Sequence, residues 1–206
     1  MTDVASILLR LKAVDLDTQE GFTYASGRKG PIYCDNRLIL SYPKEREELV
    51  NEFQKIIQEK RLTFDIVAGV ATGAIAWGAL VAQKLGKPMI YVRASAKEHG
   101  KQNQIEGELE EGKRVLVIED LINSGGSSVS ACEAVQAAGC TVAACLAIFS
   151  YGFADAEKKF AQAKVPLFTL SDFNKLLATA IQSKAITEEE KKALLRWHAN
   201  PEKWTP

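Results

Sequence analysis

Apolar and polar positions recur along this chain with two periods, and each change of period marks a new element. In "YPKEREELVNEFQKIIQEK", Leu49, Phe53, Ile56 and Ile57 share one side of a helical wheel and charges fill the other, which predicts an amphipathic helix. "FDIVAGV" follows as a short apolar run of the kind that forms a strand covered on both faces. "ATGAIAWGALVAQKLGKP" then predicts a helix stopped by Gly86 and Pro88, and "MIYVR" a second strand. "KRVLVIED" is a third strand, "SSVSACEAVQAAGC" a helix, and "TVAACLAIF" a fourth strand. Strands and helices alternating at this spacing predict right-handed crossovers and a mostly parallel central sheet with helices on both faces, an α/β fold.

No Pro/Gly/Ser-rich linker, low-complexity tract or repeat divides the chain, so one domain over residues 1–206 is expected. Within it, residues 1–42 are expected to form a small hood, with turns at Gly27, Gly30 and Pro31, and residues 43–206 a core ending in a helical tail. The tail, "TEEEKKALLRWHANPEKW", places Thr187 and Glu190 at capping-box spacing and supplies Trp197 and Trp204 as packing anchors.

Composition narrows the function. The 206 residues are 47% hydrophobic and 25% charged, ordinary for one globular domain. Twenty-six basic residues balance twenty-six acidic ones, so no overall field draws in nucleic acid or an anionic membrane, and small molecules or proteins are the expected partners. "MTDVASILLRLKAVD" is broken by Asp3, Arg10 and Lys12 and has neither the apolar run of a signal peptide nor that of a membrane span, which predicts a cytoplasmic protein. Cys34, Cys132, Cys140 and Cys145 form no C-x-x-C pair and read as core thiols, with Cys34 set apart by its polar neighbours in "PIYCDNR". His198 reads as a packed or surface residue, whereas His99 sits in a charged loop.

The chemistry concentrates in "VLVIEDLINSGGSS", where an apolar strand ends in Glu119 and Asp120 and a small polar turn leads into a helix. In an open parallel sheet, ligands bind beyond the carboxyl ends of the strands. A glycine-rich turn entering a helix N-terminus offers backbone N–H groups and partial positive charge, which suit a phosphate. Two carboxylates beside that phosphate would be repelled, since unit charges ~5 Å apart at an effective dielectric of ~20 interact by ~3 kcal/mol. A sugar phosphate resolves the conflict, because its phosphate fills the turn while its hydroxyls reach back to the carboxylates. The chain contains neither G-x-x-x-x-G-K-[ST] nor G-x-G-x-x-G, so the two commonest nucleotide loops are absent.

This motif resembles the phosphoribosyl pyrophosphate (PRPP) signature of the type I phosphoribosyltransferases. The resemblance implies that Glu119 and Asp120 bind the ribose hydroxyls. It also implies that PRPP is bound through Leu121, Ile122, Asn123, Ser124, Gly125, Gly126 and Ser127, with the turn from Asn123 holding the 5-phosphate. "YVRASAKEHGKQNQIEG" is similar to the catalytic loop of the orotate-using branch, with Arg93, Lys97, His99 and Gly100 in an R-x-x-x-K-x-H-G pattern. A loop so rich in cations can fold over a pyrophosphate and neutralise it. "YASGRKGPIYCDNRLILSYP" resembles the segment lining the orotate pocket of that branch, and "GVATGA" its pyrophosphate-side loop.

The resemblance implies a glycosyl transfer in which N1 of orotate displaces pyrophosphate from C1 of PRPP, giving orotidine 5-monophosphate in pyrimidine synthesis. The catalytic residues would be Lys97, Asp120 and Glu119, with Arg93 and His99 beside Lys97, and Asn123 would contact orotate. Mg²⁺ is the implied cofactor, held mainly through PRPP and water, without an all-protein metal site. A homodimer sharing the Lys97 loop across subunits is implied as well. Some members carry lysines where this chain has Ala25, Gly73 and Ala94, which shifts charge compensation to Arg93, Lys97 and the metal and makes Arg28, Lys29 and Arg37 candidate substitutes. A purine-using relative is disfavoured by the "RASAKEHG" and "SGRKGPIY" segments. A PRPP-sensing regulator or a scaffold subunit is disfavoured by the retained Lys97.

Overall fold

A computed structural model describes residues 3–24, 27–93 and 104–204 of the chain. Helix α1 (Val4–Arg10) leads into strands β1 (Val14–Leu16), β2 (Phe22–Thr23), β3 (Lys29–Gly30) and β4 (Ile32–Cys34) and a 3-10 turn over Asn36–Ser41. Strands β1 with β4, and β2 with β3, make two small antiparallel ribbons separate from the main sheet. Helix α1 instead buries Val4, Ala5, Ile7 and Leu8 in the core.

Helix α2 (Pro43–Glu59) opens with proline at its first position, where the missing N–H costs nothing. It buries Leu49, Val50, Phe53 and Ile57, with the expected Ile56 half-buried at the edge of that stripe. Strand β5 (Ile66–Val70), helix α3 (Ile75–Leu85) and strand β6 (Met89–Val92) form the first crossover, and Gly86 caps α3 at φ 62°. After the short strand β7 (Ile105–Glu106) come β8 (Arg114–Ile122), α4 (Gly126–Ala137) and β9 (Thr141–Ser150), the second crossover. Helix α5 (Ala154–Gln162), strand β10 (Leu167–Asp172), helix α6 (Phe173–Gln182) and helix α7 (Glu188–Ala199) complete the chain, followed by a 3-10 turn over Pro201–Lys203.

The six-stranded sheet has the order β10-β9-β8-β5-β6-β7, parallel except for β7. The four strands expected from the apolar pattern form its centre. The edges add β7, two residues long, and β10, whose Thr169 and Ser171 interrupt the apolar pattern. Side chains alternate across the sheet. Val67, Leu116 and Ile118 face a layer containing Trp77 and Val81 of α3, while Ala68, Val115 and Val117 face Val129, Cys132 and Val135 of α4. One crossover therefore lies on each face, as a doubly wound sheet requires. Strand order reverses between β5 and β8, so the turns that follow these two strands diverge and leave a crevice between them.

The tail is tied down at its start by the predicted capping box. The Glu190 backbone N–H donates to Thr187 Oγ1 at 3.2 Å, and Glu190 Oε2 accepts from the Thr187 N–H at 2.7 Å. Trp197 is buried, and the Trp204 ring covers Gly21 so closely that a Cβ there would collide with it.

Candidate functional site

The alternation along β8 delivers its last carboxylates to the crevice in unequal states. Glu119 continues the face that packs on α4, is only 4% exposed, and accepts from Ser128 Oγ at 2.8 Å and from the Asp120 N–H at 3.0 Å. Burial, reinforced by the neighbouring Asp120 carboxyl, pushes its pKa up to about 9. Asp120 is more open and turns toward the β5–α3 connection, where its carboxyl fills the space that a Cβ on Gly73 would need. Any side chain at position 73 would therefore require the Asp120 carboxyl to move. Behind the pair, the buried Asn36 amide donates to the Asp120 carbonyl at 2.6 Å and fastens the 3-10 turn of the hood to the end of β8.

The turn after β8 enters α4 through Gly125 at φ 74°, so the helix starts at Gly126, one residue before the expected serine. A side chain at Gly125 would also press on Ala156 of α5, with its Cβ 3.2 Å from the Ala156 Cα. The first N–H groups of a helix have no intrahelical partner, and no acidic residue in the first turn of α4 competes for them. Lys159 of α5 donates to the Ser124 carbonyl at 2.9 Å and braces the turn from outside. Together these elements bound a polar cleft of about 480 Å³ between Ala71–Gly73 and Asn123–Ser127, with Asp35 and Arg37 closing it from the hood.

A second cavity of about 280 Å³ adjoins the first. Its walls come from Tyr24, Arg28 and Tyr33 of the hood, Tyr151 and Phe153 after β9, Trp197 of α7, and Pro201. Cys34, Leu121 and Asn123 line both spaces. The aromatic wall is interlocked. Tyr151 stacks on Phe153 with centroids 5.5 Å apart and meets Trp197 edge-on at 5.7 Å. His198 is packed, lying parallel to Phe173 at 4.3 Å with its Nε2 2.6 Å from the Tyr151 carbonyl. Such walls suit a flat ring, while the first cleft suits charge and hydroxyls.

The structure places the expected site residues unevenly. Glu119, Asp120, Leu121, Asn123, Ser124, Gly125, Gly126 and Ser127 all line the polar cleft. Ile122 does not, because its side chain is fully buried in the core and its carbonyl accepts from the Tyr151 N–H. Arg93 follows β6 with its guanidinium 3.7 Å from Glu106, outside the lining of the cleft formed by the described residues. Lys97 and His99 lie outside the described residues.

Of the three candidate substitute cations, Arg37 lines the polar cleft but is held by both oxygens of Asp35, at 2.7 and 2.9 Å. Arg28 lines the aromatic cavity, and Lys29 is exposed on β3. Cys132, Cys140 and Cys145 are buried, while burial and the Asp120 and Asp35 charges raise the Cys34 thiol above its ordinary range. Tyr151, Phe153 and Pro201 are cavity residues that sequence reasoning missed, since each is far in sequence from the acidic motif and has no local signature.

Residues 43–179 match the phosphoribosyl transferase domain family. An orotate phosphoribosyltransferase of Coxiella burnetii is 47% identical over 205 residues, covering 100% of this chain and 98% of that protein. The structure of orotate phosphoribosyltransferase from Aeropyrum pernix superposes with a TM-score of 0.72 at 27% identity, over 85% of this chain and 98% of that one. Leishmania donovani UMP synthase gives a TM-score of 0.80 at 25% identity over 96% of this chain, which spans 42% of that longer protein.

Proposed function

The chain belongs to the phosphoribosyltransferase family, within its orotate phosphoribosyltransferases, and from that membership we infer that it transfers the 5-phosphoribosyl group of PRPP to N1 of orotate, releasing pyrophosphate. It is thus a pentosyltransferase of pyrimidine synthesis with the type I fold. The observation that carries the assignment of the site is the pairing of two adjoining spaces. A polar cleft suited to a sugar phosphate shares Cys34, Leu121 and Asn123 with an aromatic cavity suited to a base. The C1–N1 bond would form at that junction.

In this reading the turn from Asn123 to Ser127 binds the 5-phosphate, and Asp120 takes the ribose hydroxyls. Burial raises the Glu119 pKa to about 9, and ribose hydroxyls donating to its carboxyl would favour the ionised form. Asn123 presents its amide to the base. Lys97 and His99, which lie outside the described residues, are assigned to the departing pyrophosphate together with Arg93, which would leave Glu106 to reach it, and Leu121 lies between the cleft and the base. Holding two charged partners in line supplies the proximity, and cations at the leaving group stabilise developing charge.

The cleft offers hard oxygen donors, Asp120 foremost, which fit a magnesium ion that keeps its waters and its phosphate ligands. When bound with PRPP, Mg²⁺ would offset the charge of the pyrophosphate. The enzyme is proposed to act in the cytoplasm as a homodimer in which the Lys97 loop of one subunit serves the other. No helix among the described residues is long and apolar enough to cross a membrane.

The decisive experiment follows orotate absorbance after mixing the protein with PRPP and Mg²⁺, with hypoxanthine, xanthine and uracil in parallel. Consumption of orotate in preference to the other bases is expected. Tight PRPP binding without turnover of any base would move the protein to a regulatory role.

A further inference from the structure

The aromatic cavity has one cationic side chain among its described lining residues, Arg28, and that cation is already engaged. Arg28 Nη1 lies 3.1 Å from Glu202 Oε1, a carboxylate carried by the 3-10 turn after α7. Pro201 of the same turn lines the cavity, and on either side the chain is anchored, by Trp197 and His198 in the aromatic cluster and by Trp204 over Gly21. The C-terminal turn is therefore held against the cavity and sets one carboxylate on the cavity's cation.

We propose that Glu202 occupies, in the ligand-free protein, the place on Arg28 that the substrate's ring carboxylate takes, so that Arg28 selects a carboxylate-bearing pyrimidine and the C-terminal turn is its exchangeable counter-ion. The proposal rests on the orotate reading of the cavity and assigns its specificity to a residue pair. A guanidinium recognises a carboxylate through two parallel N–H bonds, whether the carboxylate belongs to a side chain or to a ring. Both partners are exposed, with side chains 65% and 71% accessible, and an exposed ion pair is weak enough to be replaced. A ring without the carboxylate gives Arg28 no reason to leave Glu202, and discrimination follows from that missing exchange.

The test compares wild type with Arg28→Gln, Arg28→Lys, Glu202→Gln and the double variant Arg28→Gln/Glu202→Gln, using two readouts. The first is KM for orotate and for PRPP. The second is the binding of orotidine 5-monophosphate and uridine 5-monophosphate, which differ only by the ring carboxylate. Arg28→Gln is expected to raise the orotate KM about tenfold or more and to erase the preference for orotidine 5-monophosphate, with the PRPP KM within about twofold of wild type. Arg28→Lys should restore part of that preference. Glu202→Gln should lower the orotate KM a few-fold, and the double variant should match Arg28→Gln, because Glu202 acts only through Arg28.

Equal loss of affinity for both nucleotides in Arg28→Gln, an unchanged orotate KM, or additive single effects would each overturn the proposal. Failure of the wild type to consume orotate would instead refute the function reading, and the nucleotide comparison does not depend on turnover.

Discussion

The polar cleft and the aromatic cavity adjoin each other yet are built on opposite principles. About half of the cleft lining comes from one short stretch, Glu119 to Ser127 without Ile122, on a strand end and a helix start. The cavity draws on hood, strand ends and tail, with Tyr24, Leu121, Tyr151 and Trp197 brought together from across the chain. The cleft presents helix-start N–H groups and carboxylates set by local geometry. The cavity presents flat faces whose positions depend on packing. A phosphate needs fixed donors, which a turn supplies, whereas a ring needs walls on several sides, which no single segment can supply.

That division predicts which step each change will damage. Asp120→Asn should have the largest effect, weakening PRPP about 10–100-fold in equilibrium binding, because a charged acceptor for the ribose hydroxyls is lost. Near-normal PRPP affinity would remove Asp120 from the sugar site. Tyr33→Ala should act on the other space. Loss of a stacking face worth ~1–3 kcal/mol raises the orotate KM by about tenfold while the PRPP dissociation constant stays put. If PRPP binding falls as well, the two spaces are not separable.

Gly73→Ala should be milder, raising the PRPP KM about fivefold as the new methyl pushes the Asp120 carboxyl aside. No change in PRPP KM would mean that the carboxyl moves freely.

The smallest effect belongs to Glu119→Gln, read as stability rather than rate. With its pKa raised from 4.5 to about 9, Glu119 keeps in the folded protein a proton that the unfolded chain releases, so ligand-free stability falls as pH rises between those values. The variant should flatten that fall and melt a few degrees higher than wild type at pH 8. A slope identical to wild type in thermal denaturation would show that Glu119 is ionised in the folded protein.

Much of this was legible from residue order. The α2 stripe, the four central strands, the Gly86 cap and the Thr187–Glu190 capping box each depend on residues a few positions apart, and each appears in the structure. The edge strands β7 and β10 escaped because one is two residues long and the other carries Thr169 and Ser171 in an otherwise apolar pattern. Ile122, which the resemblance includes among the PRPP-binding residues, turns its side chain into the core, a burial that residue order in the motif does not reveal.

Sequence alone determined the fold class and the acid pair and turn that line the polar cleft, since periodicity, capping and a strand–turn–helix motif are properties of neighbouring residues. Tertiary structure decided the rest. It made Glu119 a buried acid and left Asp120 open, brought Trp197 and Pro201 to the aromatic cavity, and set Glu202 against Arg28. Those outcomes depend on which distant surfaces pack together and how much water they exclude, and burial and long-range contact have no period along the chain.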